Sequence, residues 1–391
     1  MRPTPLRRRS WTALALAAAL AAALGGCGGS GDDRNPLAID AVKVVGDSLS
    51  DSGTFASVPG GPRIASVQGS ANEPYVLWVE RVALAYQLDP LCPVYQYTGT
   101  GFAANAKAGC TNYAVAGARI NNPASAGGAD SPFSVPRQLA DAAAKGWRAQ
   151  DVLLADGGGN DAADLITAYL GASADHGAAY AALLGTLLPA DTLATVLAAE
   201  QGAETAGGLY MQALADSLAN ALQTQALDQG AAQVLVANMP GITDTPRFQA
   251  VLAQIAAAAG ADAAAQAQAL FQGWVGAFNQ RLAQRFAGNP KVRVFDLATR
   301  FADEVAHPAQ YGLTNVTLPV CGAEWVTAVP QRSFAECTAS ALSATTPPTG
   351  GPTGAGWWQQ YLFADGFHPT PYGHQLFGEQ VEQLLTEAGW L

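Results

Sequence analysis

The stretch KVVGDSLSDSGTF, Lys43 to Phe55, ends an apolar run at Val44 and Val45, turns at Gly46, and presents Ser48 among turn-forming residues. This order predicts a strand, a tight turn, and a serine delivered to the head of the next helix, where backbone N–H groups are unpaired. Two roles compete for that serine. Its hydroxyl can attack a carbonyl while its own amide steadies the oxyanion, or it can cap the helix, the commoner use of serine at such a position.

Outward from this stretch the chain alternates two textures. DAVKVV before Gly46, DVLLAD at 151–156, AAQVLVANMP at 231–240 and KVRVFDL at 291–297 are short apolar or β-branched runs that predict buried strands. Between them, helical patterns cover Pro74 to Leu88 (with Glu80 and Arg81 on the exposed face), Pro136 to Lys145, and Phe248 to Phe286 with a break at Gly260. Strands alternating with helices define an α/β domain with a parallel sheet covered on both faces, and ligands on such sheets sit at the carboxyl ends of the strands. Two segments exceed a minimal plan of this kind. An Ala-rich insertion at about 162–230 carries Met211, Leu214, Leu218 and Leu222 on one face, which reads as packing onto the domain, with a lid or acyl-binding wall as the rival. The second, 301–356, is long and irregular.

Three further segments bear on Ser48. In TNYAVAGARI, Thr111 to Ile120, a strand-like run meets Gly117, which can turn its N–H towards a site without a side chain in the way. In ADGGGNDAADL, three glycines after a strand deliver Asn160, a side-chain N–H donor, and Asp161, a candidate helix cap; no Gly-Lys-Ser/Thr follows, so this is not a phosphate loop. In LFADGFHPTPYGH, Asp365 and His368 stand three apart, so one turn lets the carboxylate hold the imidazole Nδ1–H and leave Nε2 free as a base. His374 reads as a surface or packing residue, and no matched third ligand supports a metal on the two histidines.

The N-terminus reports an address. Arg2, Arg7, Arg8 and Arg9 precede an uncharged Ala/Leu stretch and small residues running to Cys27, the layout of a secretory signal over 1–26, with residues 27–36 as a flexible tether before a domain at 37–391. Four cysteines remain beyond Cys27. Of three possible pairings, Cys92 with Cys110 and Cys321 with Cys337 is favoured because each closes a short local loop, and no metal-like spacing competes. Loss of the four arginines, with no acid removed, moves the formal charge from −11 to −15, which excludes a nucleic-acid partner by charge.

Taken together, GDSLSDSG, NYAVAGA, GGND and DGFHPT resemble, in this order, the four blocks of the GDSL lipase/esterase family of SGNH hydrolases; NMPGITDTP and AFNQRL add smaller echoes of its bacterial outer-membrane esterases and lysophospholipases. The resemblance implies a flavodoxin-like three-layer α/β/α fold and a catalytic Ser48, Asp365 and His368. It also implies an oxyanion hole from the Ser48 and Gly117 amides and the Asn160 side chain, with no cofactor and no metal. Ala364 departs from the tryptophan often found before the aspartate. Leu24-Gly25-Gly26-Cys27 further resembles a bacterial lipobox, implying lipidation of Cys27, a membrane connection through that anchor, and an outer-membrane or periplasmic lipoprotein; ordinary signal cleavage is the alternative. The implied activity is hydrolysis of short to medium acyl esters or lysophospholipids. An acyltransferase using the same site and a non-catalytic envelope-binding lipoprotein are the other readings.

Overall fold

A computed structural model describes residues 38–391 apart from Ala71 and Ala124, so the signal, Cys27 and the tether lie outside the described residues. Four parallel strands form the central sheet: β1 (Ala41–Val45), β4 (Asp151–Ala155), β5 (Gln233–Ala237) and β6 (Val292–Phe295), in that spatial order. Two short antiparallel strands, β2 (Tyr95–Tyr97) and β3 (Phe102–Ala104), make a hairpin whose base is closed by the Cys92–Cys110 disulfide. Helices follow as α1 (Trp78–Ala85), α2 (Val135–Ala143), α3 (Gly159–Asp175), α4 (Ala178–Leu184), α5 (Ala190–Leu197), α6 (Gly202–Leu222), α7 (Pro246–Ala259), α8 (Ala261–Phe286), α9 (Leu297–Ala306), α10 (Ala339–Ser343) and α11 (Pro371–Glu387). Among the described residues no helix is long and apolar enough to cross a membrane.

Strand alternation sorts the core into two sides. Val45, Leu153, Ala155, Val234 and Val236 face one cluster with α2, α3, α6 and α8, while Val42, Val44, Val152, Leu154 and Leu235 face another with α1, α9 and α11. Because both faces are covered, most strand positions are apolar, which is why the strands read as continuous runs. The result is the three-layer α/β/α arrangement expected.

On the free edge of β1, residues 111–115 run parallel to it. The Val44 N–H donates to the Thr111 carbonyl (3.0 Å), and the Tyr113 and Val115 N–H groups donate to Val44 (2.8 Å) and Gly46 (3.2 Å). Counting this edge, the second segment in the chain lies on one side of β1 and the third on the other. The topology therefore switches direction between β1 and β4, and a crevice opens there at the strands' carboxyl ends.

Several sequence expectations change. The helix expected from Pro74 to Leu88 is confined to α1, and Glu80 is buried rather than exposed: its carboxylate accepts the Leu77 N–H (2.8 Å) and pairs with Arg63 (2.8 Å). In the 162–230 insertion, Met211, Leu214, Leu218 and Leu222 are fully buried and α6 packs along α8, with the Trp274 indole donating to the Glu204 carbonyl (2.8 Å). No residue of that insertion lines either cavity beside Ser48, which favours packing over a lid. The later part of the 301–356 segment joins a small third core around the Cys321–Cys337 disulfide, where Val320 and Leu342 pack with Val67, Trp357 and Trp358. Ala364 is buried in this small core and does not wall the site.

Candidate active site

β1 ends against a clamp. The Gly46 N–H donates to Gln138 Oε1 (2.8 Å) and Gln138 Nε2 returns a bond to the Gly46 carbonyl (3.0 Å), while a Cβ on Gly46 would stand 1.8 Å from an Asp156 oxygen. Only glycine fits that approach. Beyond it, the Ser50 and Asp51 N–H groups both donate to the Asp47 carbonyl (3.1 Å each), closing a single turn. That turn does not continue, and the next helix starts at Trp78, so the expected placement of Ser48 at a helix head is corrected, and with it the cap. Its hydroxyl instead lies 2.8 Å from His368 Nε2.

The imidazole is held by its own loop. Asp365 Oδ1 accepts the N–H groups of Phe367 (2.8 Å) and His368 (2.7 Å), an Asx-type turn that folds the ring back until Nδ1 stands 3.0 Å from both carboxylate oxygens. With Nδ1–H donated there, Nε2 is the acceptor facing Ser48. Phe334 and Phe367 present edges to the ring at centroid distances of 5.3 and 5.7 Å. Burial by itself would push the His368 pKa down, but the charge and hydrogen bond of Asp365, aided by Asp47, outweigh it and hold it above 6.5. Burial works against the Asp365 charge as well, yet His368 and the two loop N–H groups keep that carboxyl below its usual range.

Three candidate donors belong to residues that line the cleft with Ser48. Among the described residues the N–H groups of Ser48 and Gly117 have no acceptor. Gly117 adopts φ +85°, a conformation that favours glycine. Asn160, in the first turn of α3, donates one Nδ2 hydrogen to the Ala118 carbonyl (3.0 Å), leaving the other for the cleft. Ser48, Gly117, Asn160 and His368 line one cleft together with Phe55, Arg63 and Phe334.

Several groups that lock this arrangement escaped the sequence reading. Asp51 Oδ1 accepts the Gly53 (2.9 Å) and Thr54 (2.8 Å) N–H groups while its Oδ2 accepts Ala116 (2.8 Å), tying the serine turn to the glycine loop. Asp161 does not cap α3; it accepts the Ile120 (3.0 Å) and Asn121 (2.8 Å) N–H groups and anchors the far side of that loop. Asp156 takes the Asp47 N–H (2.9 Å) and the Ser50 hydroxyl, and burial followed by the Asp47 charge pushes it up to about 8. Asn279 of AFNQRL clasps both backbone groups of Met239 (2.9 and 2.8 Å), fixing the loop after β5. His374 is fully buried with no hydrogen-bond partner on either ring nitrogen, its ring against Phe377, and is pushed down to about 3 by burial and then by the charges of His368 and Arg81; it packs and is not at the surface.

A carboxylate, an imidazole and a hydroxyl in hydrogen-bonded line, beside candidate N–H donors at a switch point, form the constellation of acyl-transfer hydrolases. The family model described as GDSL-like Lipase/Acylhydrolase matches residues 42–381. The chain belongs to that family and is a hydrolase on the SGNH fold. No curated protein matches it.

Proposed function

We propose that the protein is a carboxylic-ester hydrolase that works through an acyl-enzyme on Ser48, on short to medium acyl esters or lysophospholipids. The observation that carries this reading is the unbroken line from Asp365 through His368 to the Ser48 hydroxyl, ending in a cleft with three available N–H donors. Ser48 Oγ bonds to the ester carbonyl carbon as His368 Nε2 takes its proton. The carbonyl oxygen becomes an oxyanion facing the Ser48 and Gly117 amides and Asn160. The carbon–oxygen bond to the alcohol then breaks, and the proton on Nε2 passes to the departing alcohol. Water repeats the sequence on the acyl-enzyme, giving up its proton to His368 and restoring Ser48. Asp365 holds the imidazole tautomer and balances the imidazolium. This chemistry calls on no metal or organic cofactor.

The same proposal places the enzyme at the cell envelope of a Gram-negative bacterium, tethered through a lipid on Cys27, a reading supported by the N-terminal sequence alone. Mass spectrometry of the mature N-terminus tests the anchor. For the activity, p-nitrophenyl esters from acetyl to palmitoyl are assayed with the mature protein and with Ser48→Ala. The expected result is turnover that falls by about 10⁴-fold or more in the variant. Equal rates in both proteins would dismiss Ser48 as the nucleophile and favour the non-catalytic binding lipoprotein. Transfer product formed with a mixed alcohol acceptor would instead support the acyltransferase.

A further inference from the structure

Two cavities touch Ser48, and their chemistry differs. The cleft described above, about 200 Å³, holds Gly117, Asn160 and His368, and is walled by the charged Arg63 as well as by Phe55 and Phe334. The second, about 40 Å³, runs from Ser48 across the carboxyl ends of the strands, past Gly157 after β4 and Asn238 after β5, to Phe301 in α9. Leu49, Ile242, Phe301, Phe363, Phe367 and Phe377 supply its apolar wall. Most polar residues that border it are engaged elsewhere: Asp156 with the Asp47 N–H and Ser50, Asn238 with Asp296 (2.8 Å) and the Ala298 N–H (2.9 Å), and Thr245 with the Ile242 carbonyl (2.6 Å), while Asp47, next to Ser48, accepts the Leu49 N–H through Oδ1 (3.1 Å).

A tetrahedral centre on Ser48 Oγ has three other substituents to place. Its oxyanion takes the three donors, and its leaving oxygen must be within reach of His368 Nε2; both demands are met in the cleft. The acyl carbon chain, which needs no hydrogen bonds, is left to the apolar cavity.

We propose that this cavity is the acyl subsite and that the phenylalanines in its wall, Phe301 foremost, restrict the enzyme to short acyl groups of about two to four carbons, with the alcohol portion in the cleft that holds His368. Narrowness and wall set the limit: about 40 Å³ is open to a water-sized group here against about 200 Å³ in the cleft, and the apolar side chains around it leave little room for a longer chain. Each methylene that does not fit is discriminated about tenfold or more. This inference rests on the ester-hydrolase reading and narrows its substrate from medium acyl chains and lysophospholipids to short-chain esters.

The test is kcat/KM for p-nitrophenyl acetate, butyrate, hexanoate and octanoate with wild type, Ser48→Ala, Phe301→Ala and Leu49→Ala. Leu49 is only half-buried on the serine turn, so its truncation keeps the test alive should Phe301→Ala fail to fold. Expected are a wild-type preference for acetate and butyrate over octanoate of tenfold or more, and a rise of tenfold or more in the octanoate-to-butyrate ratio in the folded variants. Wild-type octanoate turnover equal to butyrate, or an unchanged ratio in a folded variant, overturns the subsite while Ser48-dependent hydrolysis of any ester preserves the broader reading. Absence of all Ser48-dependent hydrolysis overturns both.

Discussion

Truncating Asn160 to alanine isolates one donor of the proposed oxyanion hole. The side chain has two Nδ2 hydrogens, and only one is engaged, by the Ala118 carbonyl at 3.0 Å. The residue lines the cleft it shares with Ser48 and Gly117, where the second hydrogen is the proposed oxyanion donor. Losing one oxyanion donor costs about 3 kcal/mol of transition-state stabilisation, which is roughly a hundredfold in rate. The ground-state carbonyl draws much less from the donor than the oxyanion does, so the loss falls on kcat and leaves KM within a fewfold. The bond to Ala118 goes too, but a neutral hydrogen bond is worth only about 1 kcal/mol and does not unfold the domain. Asn160→Asp sharpens the experiment, because it keeps the shape while placing an anionic acceptor where the donor stood, and it is expected to be at least as slow. Steady-state kinetics on p-nitrophenyl acetate, with thermal unfolding as the control, reads both variants. A kcat within a fewfold of wild type in Asn160→Ala would remove this side chain from the hole.

Asp365→Asn removes the charge that keeps the His368 pKa above 6.5. Since the reaction needs the neutral base, the acid limb of the kcat/KM profile should move to lower pH while the plateau drops by on the order of 10³–10⁴; a limb that stays in place would detach Asp365 from His368. Glu304 is buried with Oε2 unpartnered and is pushed up to about 7, burial being the main cause. Its folded pKa lies above its unfolded one, so the native state holds an extra proton between about pH 4.5 and 7, and stability is lost as pH rises through that window. Glu304→Gln should therefore gain little near pH 4.5 and up to about 3 kcal/mol above pH 7, measured by denaturant unfolding; an equal gain at both pH values would contradict the burial argument.

What the sequence made legible was chemistry written in contiguous residues. Val44-Val45-Gly46, the three glycines before Asn160, and Asp365 three residues ahead of His368 each declare a local geometry, because a turn or a strand end is decided by neighbours in the chain. Groups that act at a distance declare nothing. Gln138 clamps Gly46 across 92 positions, and no periodicity distinguishes it from any other polar residue on α2. Glu80 sits on the polar side of its helix in the pattern, yet folds back onto the Leu77 N–H and Arg63, partners that become visible only once the loops are placed. The same holds for the serine itself: its turn looked like a helix start because Asp47-Ser48 carries the residues a cap would use.

The irregular 301–356 segment is the part whose position mattered most, for its disulfide loop lays Phe334 over His368 and is bonded to the Asp365 loop, Val320 N–H to the Phe363 carbonyl (3.0 Å) and Cys321 N–H to that of Ala364 (2.7 Å). Opening the Cys321–Cys337 bridge with paired serines therefore asks whether the wall and the machinery are separable. A loop of this size contributes about 3 kcal/mol in the chain-entropy model, a loss a domain of this size is expected to survive. The Asp365–His368 turn is closed by its own bonds, from the Phe367 and His368 N–H groups to Asp365 and from the Ala364 N–H to the His368 carbonyl (2.7 Å), none of which the disulfide loop supplies. The expected outcome is a lower unfolding temperature and a KM raised severalfold as Phe334 loses its station, with kcat within about threefold. A kcat collapse beyond tenfold in a folded variant would mean that the two bonds from Val320 and Cys321 hold the catalytic loop in place, and that the wall of this site cannot change without changing its chemistry.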